Sequence, residues 1–179
     1  MGALDSLEKS LDGVLGSKAP VKLPENGKKT IAEWLPWISL ALGLLTLWAA
    51  YSLWHWADVA DEAVEYVNSL SRAFGGTEVV ADRFTAGIWL GLIVVAIEGV
   101  LYLAAFPALK ARKKSGWNLV FYAALVNIVY AVVLLFTDYG GAGNFILNLI
   151  GSVIGLWLLF QIRSVYTGSK ATSSPPAAG

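Results

Sequence analysis

Four long apolar runs constrain what this chain can fold into. They cover residues 35–56, 84–109, 117–136 and 145–162. Each run approaches or exceeds the roughly 20 residues that a helix needs to cross about 30 Å of hydrocarbon, and none shows the alternation of a membrane β-barrel strand. The runs therefore predict an all-α integral membrane protein, with four transmembrane helices forming a compact bundle within residues 30–168.

The composition agrees with a membrane protein. Of the 179 residues, 56% are hydrophobic and only 15% are charged, whereas a soluble domain carries about 25% charged residues. Basic and acidic residues balance at thirteen each, so no net field indicates nucleic acid as a partner. The chain has no cysteine and one histidine, which excludes disulfides and thiolate metal sites and argues against a serine–histidine triad.

The basic residues predict the orientation of the helices. Eleven of them lie before the first run, between the second and third runs, or after the fourth, and only two lie on the other side. By the positive-inside rule, both termini and the loop at residues 110–114 face the cytoplasm of a multi-pass protein in the cell membrane. A cleaved signal peptide is the alternative for the first run, which starts too late and is too long for one.

The N-terminal residues 1–17 are predicted to form an amphipathic helix. Its apolar face carries Leu4, Leu7, Leu11, Val14 and Leu15. The segment is interpreted either as a helix at the membrane surface or as a docking element for a cytoplasmic partner. A polar linker follows at residues 18–29, and the small, polar tail at residues 169–179 is expected to be disordered.

A second amphipathic segment is predicted at residues 58–74. Its apolar stripe consists of Val59, Ala63, Tyr66, Val67, Leu70 and Phe74. No helix breaker separates it from the first run, which therefore either continues beyond the membrane or bends to lie along its outer surface. The stripe favours contact with lipid headgroups or the bundle over free projection into water.

The start of the first span carries two conflicting signals. Thr30 and Glu33 have the spacing of a capping box, which would begin a helix there. Pro36 disfavours a helical conformation at the preceding Leu35. Either the helix begins at Thr30 and kinks at the proline, or the capping-box pattern is accidental.

Glu98 is a carboxylic acid near the middle of the second span, where no water solvates a charge. Small residues on the same helical face indicate that it points towards another helix rather than towards lipid. The other three spans also carry polar residues at a similar depth. Folding the polar stripes inward predicts one layer near the midplane, which contains Thr46, Glu98, Asn127 and Ser152.

This polar layer has two explanations. In the structural one, a neutral Glu98 forms a hydrogen bond with Asn127 or Thr46 and fixes the register of the helices, although such bonds contribute only about 0.6 kcal/mol on average. In the other, the carboxylic acid lies on a proton or cation path. A single carboxylate without a Lys, Arg or His inside the membrane forms no obvious relay, so the structural explanation is preferred.

Glycine pairs with GxxxG spacing are candidates for close helix packing. Gly87 and Gly91 form the pair in the second span, and Gly151 and Gly155 form the pair in the fourth. Such pairs let the backbone of another helix approach closely. They are common in membrane helices and indicate packing without further specificity.

One cluster of metal-ligand type lies just after the first span. On a continuous helix it would place a nitrogen and several carboxylate oxygens on one face, from His55, Asp58, Glu62 and Glu65. These groups are candidate ligands for a divalent cation. The alternative is a solvated acidic face, which suits carboxylates at this ordinary surface density.

The sequence contains no catalytic or cofactor motif, and no cofactor is predicted. The preferred function is that of a non-enzymatic accessory, assembly or scaffold subunit of the cell envelope. The lipid bilayer is its first predicted partner, followed by other membrane proteins or a homo-oligomer. The alternative is an oligomeric small transporter or channel coupled to protons or cations through Glu98.

Overall fold

The computed structural model describes residues 2–73, 86–136 and 142–168. All regular elements in this part of the chain are helical, and it contains no strand. In chain order they are α1 (Ala3–Leu11), a π-helical segment (Asp12–Ser17), α2 (Glu25–Ala73), α3 (Ala86–Lys110), α4 (Lys114–Leu134), α5 (Ala142–Gln161) and α6 (Arg163–Thr167). The predicted all-α class is confirmed.

Three helices are long and apolar enough to cross a membrane. They are α2, the Trp89–Lys110 part of α3 and the Lys114–Val133 part of α4. In α5 the apolar stretch found among the described residues is shorter, at Asn148–Gln161. The predicted tail at residues 169–179 and the last residue of the predicted outer segment, Phe74, lie outside the described residues.

Helix α2 is one uninterrupted helix of 49 residues. It begins at Glu25, so Thr30 lies inside it, where its hydroxyl donates a hydrogen bond of 3.0 Å to the Asn26 carbonyl one turn earlier. The capping-box pattern is therefore accidental. At about 1.5 Å per residue the helix is about 74 Å long, and residues 57–73, here called the arm, continue the first predicted span without a break.

Pro36 lies inside α2 and is buried. A proline has no N–H to donate to the carbonyl four residues earlier, which here belongs to Ala32. The Tyr166 hydroxyl of α6 donates a hydrogen bond of 3.0 Å to this Ala32 carbonyl. Because both residues are buried, the tyrosine satisfies a polar group that water cannot reach.

Helices α2 and α3 pack closely through glycines. A Cβ added at Gly43 would lie 2.8 Å from the Leu103 side chain, and one added at Gly99 would lie 2.7 Å from Leu47. Near the first contact, the buried Ser39 hydroxyl donates a hydrogen bond of 2.6 Å to the Tyr102 carbonyl. These two glycines let the helices approach without a side chain between them.

The core lies at the end of the helices near the loop at residues 110–114, here called the basic end. Trp117 stacks on Phe121 with ring centroids 5.4 Å apart, and both rings meet Phe160 of α5 edge to face. The Trp117 indole also donates a hydrogen bond of 2.8 Å to the Leu159 carbonyl. The aromatic ring stack therefore joins the start of α4 to the end of α5.

Helices α2, α3, α4 and α5 pack in chain order, each mainly against the next. The first and last of them border a lateral cleft of about 470 Å³, with α4 as its floor. The four helices therefore form a row that curves around a cleft and does not close fully on itself.

Candidate functional site

Three helices bring polar side chains together at mid-depth. Glu98 of α3 lies within hydrogen-bonding reach of Asn127 of α4. The Ser152 hydroxyl of α5 lies 3.3 Å from Asn127 Oδ1 and 3.4 Å from Asn148 Oδ1. The polar layer in the structure thus runs from Glu98 through Asn127 to α5, and Asn148 is a member that the sequence did not single out for it.

Thr46 does not join this layer. Its hydroxyl donates a hydrogen bond to the Leu42 carbonyl of its own helix. Threonine and serine commonly bond in this way inside helices, where no other partner is close. The predicted contact between Thr46 and Glu98 is therefore not formed, and α2 contributes no side chain to the hydrogen bonds of the layer described above.

Glu98 is only 7% exposed. Its Oε1 atom is buried and has no hydrogen-bond partner in the described part of the chain. The phenol groups of Tyr102 and Tyr130 lie close enough to interact with a charge on this carboxyl group. A neutral Glu98 can donate one hydrogen bond and accept others, so the geometry suits a carboxylic acid better than an unpaired carboxylate.

The two predicted glycine pairs have different surroundings. A Cβ added at Gly91 would lie 2.8 Å from the Tyr130 hydroxyl, so this glycine faces α4. The surroundings of Gly87 lie outside the described side chains. Gly151 and Gly155 have no atom of the described chain within 4 Å of an added Cβ, and both line the lateral cleft.

The candidate cation ligands of the first predicted span and arm do not converge. His55, Asp58, Glu62 and Glu65 are all exposed, and along the helix they cover about 15 Å. The His55 ring stacks instead on Tyr51, with parallel rings and centroids 6.1 Å apart. Among the described residues, no group of three or more His, Cys, Asp or Glu side chains is arranged to hold a metal ion.

The predicted apolar stripe of the arm is exposed. Tyr66 is 67% exposed, and Val59, Val67 and Leu70 are each at least two-fifths exposed. A different face of the arm is less exposed and consists of Ala57, Val64, Asn68 and Ser71. The stripe therefore does not rest on the bundle, and its contact with lipid headgroups stays a prediction.

The N-terminal segment is fastened to the basic end by ion pairs. Glu8, on the face of α1 predicted to be polar, is only 8% exposed. It lies 2.5 Å from an Arg163 nitrogen and 3.0 Å from the Lys114 ammonium, while Asp12 lies 3.4 Å from Arg163. The Arg163 guanidinium also packs over the Trp117 ring at 5.7 Å.

Burial and charge act in opposite directions on Glu8. Burial alone would raise its pKa, but the hydrogen bonds and positive charges of Arg163 and Lys114 outweigh burial and lower the pKa below its ordinary value of 4.5. Glu8 is therefore ionised at neutral pH. Its charge favours the docked position of α1 over a detached one.

The π-helical segment and the linker after it are held by two side chains of α5. Gln161 donates a hydrogen bond of 2.9 Å to the Leu15 carbonyl and accepts one of 3.3 Å from the Leu23 N–H. The Trp157 indole donates to the Val21 carbonyl at 3.3 Å. These contacts turn residues 12–24 back across the end of α5.

The chain matches no protein-family model, no curated protein and no solved structure.

Sequence reasoning missed the role of Glu8 and Arg163. Amphipathic periodicity groups Glu8 with the polar residues of the N-terminal segment, because such patterns sort residues by polarity and carry no information about a distant partner. A signal did exist, since Arg163 directly follows the fourth apolar run and had no acidic neighbour in sequence to neutralise it. Such an arginine often finds its partner in another segment.

Proposed function

We propose that this chain is a multi-pass protein of the cell membrane, with four spans, both termini in the cytoplasm and a non-enzymatic accessory, assembly or scaffold role. In this proposal the arm of α2 stands outside the membrane and binds a partner protein. The length of α2 is the observation that carries the proposal.

The pairing of α5 with α4 supports a fourth span. Trp117 contacts Leu159 at the basic end, and Asn127 contacts Ser152 about ten residues further along α4. The two helices therefore run antiparallel and side by side, so α5 covers much of the depth that α4 covers. With 20 residues, α5 is about 30 Å long, and its exposed Ile150 and Ile154 suit contact with lipid.

Helix α2 is too long to remain inside a bilayer. Even at a tilt of about 40°, its length of about 74 Å corresponds to about 56 Å along the membrane normal, which exceeds the 40–45 Å or so of hydrocarbon and headgroups together. Pro36, near its start, is the only proline inside it. The arm is therefore proposed to project from the outer surface as a rigid continuation of the first span.

The surface of the arm suits a protein partner. An exposed apolar stripe at Val59, Tyr66 and Leu70 runs beside an acidic face with Glu62 and Glu65. An exposed helical stripe of this kind is a common docking element, because a partner covers it with its own apolar residues and matches the flanking charges. Exposed tyrosine is also a frequent contributor to protein interfaces.

Site-specific photocrosslinking in native membranes tests this role. A photoreactive residue at Tyr66 should give one protein adduct of defined mass, whereas the same residue at Glu65, on the neighbouring acidic face, should give little or none. Leu70→Asp should abolish the adduct while the protein still floats with membranes. Equal adducts from both positions, or lipid adducts alone, would refute docking through the stripe.

The alternative function is a small transporter coupled to protons or cations. The buried Oε1 of Glu98, which has no partner in the described chain, favours it. The direction of the polar layer favours it less, because Glu98, Asn127 and Ser152 are linked sideways between helices at one depth. A path across the membrane needs groups at successive depths.

Reconstituted vesicles distinguish the two functions. Glu98→Gln keeps the shape of the side chain and its ability to form hydrogen bonds but cannot titrate. Glu98→Leu removes both the hydrogen-bonding group and the titratable group. In the scaffold role, Gln should leave stability unchanged, Leu should reduce it modestly, and wild type should carry no flux. A proton flux in wild-type vesicles that disappears in the Gln variant would establish the transporter and overturn the preferred role.

A further inference from the structure

The lateral cleft between α2 and α5 is long and narrow. On α5 and the residue that follows it, the lining runs from Asn148 to Ile162, which corresponds to about 21 Å along the helix axis. On α2 the opposite wall runs from Ile31 to Leu42. The cleft therefore extends from the basic end to the polar layer at mid-depth. This is roughly the thickness of one leaflet with its headgroups, since the whole bilayer with headgroups is about 40–45 Å thick.

The walls of the cleft are apolar and open towards the surroundings. Side chains such as Leu35, Ile38 and Leu159 line it. On α5, Gly151 and Gly155 are exposed and have open space where a Cβ would stand. An apolar cleft that opens sideways in a bilayer has no water to fill it, so hydrocarbon from the bilayer occupies it.

A second, polar cavity of about 300 Å³ lies at the basic end of the same helices. Lys22, Lys28 and Arg163 line it together with the single acidic residue Asp12. Lys28 is one helical turn before Ile31, and Arg163 directly follows Ile162, and both of these isoleucines line the apolar cleft. A basic cavity thus adjoins the end of an apolar cleft at the expected depth of the headgroups.

The cations of this cavity differ in how fully they are already paired. Arg163 is held by Glu8 and Asp12. Lys28 pairs with Glu25 at 2.7 Å, but that glutamate side chain is 77% exposed. Lys22 is exposed and has no ion pair within the described chain. An anion therefore has Lys22 available directly and Lys28 available by exchange with a solvated carboxylate.

We propose that the cleft and the basic cavity together bind one anionic phospholipid of the inner leaflet. The acyl chain lies between α2 and α5, and the headgroup phosphate lies at Lys22 and Lys28. Basic pockets between membrane helices on the cytoplasmic side bind such headgroups, and the apolar cleft matches the chain that follows. The assignment rests on the membrane placement proposed above and goes beyond the scaffold role.

Native mass spectrometry of the full chain from mild detergent tests the lipid site. With phosphatidylglycerol or phosphatidylcholine added in equal amounts, the wild type should retain one phosphatidylglycerol molecule preferentially. Gly155→Leu should abolish this retention by filling the cleft, and the open space around the glycine lets the variant fold. Val153→Leu, at an exposed position on the same helix outside the cleft lining, is the matched control and should retain the lipid.

The headgroup contacts are tested separately. Lys22→Gln together with Lys28→Gln should reduce the preference for phosphatidylglycerol about thirtyfold, because each basic side chain near an anionic headgroup contributes about 1 kcal/mol. Lys29→Gln, which changes an exposed lysine outside the cavity, should leave the preference unchanged.

Other outcomes would overturn either the lipid site or the membrane placement. Equal retention of the two lipids, or retention unchanged in both Gly155→Leu and the double lysine variant, would refute the site. If Gly155→Leu dissolves a protein complex and leaves lipid retention intact, the cleft is a helix interface and the lipid assignment is wrong. Flotation of the wild type with vesicles is measured in parallel, and its failure would overturn the membrane placement itself.

Discussion

Replacing Tyr166 by phenylalanine tests whether its hydroxyl compensates for Pro36 in α2. The hydroxyl donates its hydrogen bond to the Ala32 carbonyl, which the proline leaves without its usual helical donor. Burial raises the pKa of Tyr166, although the nearby Arg112 charge and hydrogen bond act to lower it. The tyrosine is therefore protonated at neutral pH and able to donate.

The expected cost follows from the burial of both partners. Tyr166 is 2% exposed and Ala32 is fully buried, so water cannot replace the lost hydroxyl. Leaving a buried carbonyl unsatisfied costs about 1–3 kcal/mol. In a Pro36→Ala background the new N–H of residue 36 can bond the Ala32 carbonyl, so the same Tyr166→Phe change should cost about 1 kcal/mol less than it does beside the proline.

Unfolding in mixed micelles measures this coupling from four proteins: wild type, each single variant and the double variant. Tyr122→Phe is the control, because Tyr122 is half-buried and its hydroxyl has no hydrogen bond to the described chain. It should change the free energy of unfolding by much less. If Tyr166→Phe costs the same with and without Pro36, the proposed compensation is wrong.

Three further predictions concern the N-terminal segment, helix packing and topology. Because the pKa of Glu8 is lowered in the folded state, its stabilising contribution is present at neutral pH and is lost as pH falls below about 4.5 through the folded pKa. Amide exchange in α1 should therefore accelerate in acid for wild type but change much less with pH in Glu8→Gln. Gly43→Leu should destabilise the fold by about 1–3 kcal/mol, because its side chain collides with α3, whereas Gly151→Leu should be nearly neutral in a thermal melt; equal losses would contradict the packing. A cysteine at Tyr66 should react with an impermeant maleimide in sealed cells, and one at Ser115 should react only after the inner face is opened; labelling at Ser115 in sealed cells would reverse the topology.

The helical class could be predicted because long apolar runs are visible in the sequence without any knowledge of tertiary contacts. Residues 84–109 and 117–136 were predicted as spans from length and polarity alone, and α3 and α4 lie there. Pro36 left the start of the first span undecided from the sequence, since the cost of a proline to a helix depends on whether another group satisfies the freed carbonyl. That group is Tyr166, which is distant in sequence.

The polar layer was predictable in part. Asn127 and Ser152 meet because helical faces with small and polar residues tend to pack inward. Thr46 did not join them, because a threonine hydroxyl can be satisfied within its own helix. Gly43 and Gly99 bring α2 and α3 together, whereas Gly151 and Gly155 face open space. GxxxG spacing shows where a close approach is possible, and the neighbouring surface decides whether one forms.

In the proposed membrane placement, the single helix α2 would connect the two sides of the membrane mechanically. The 37 residues that follow Pro36, up to Ala73, extend over about 56 Å. A bend of about 10° introduced at the proline would therefore swing the far tip by about 10 Å, roughly the diameter of a helix. The hydrogen bond between Tyr166 and Ala32 lies next to this proline, at the point about which the helix would bend. In the membrane placement proposed above, a small rearrangement among the buried side chains at the basic end would thus move a partner bound at Leu70 on the other side of the membrane.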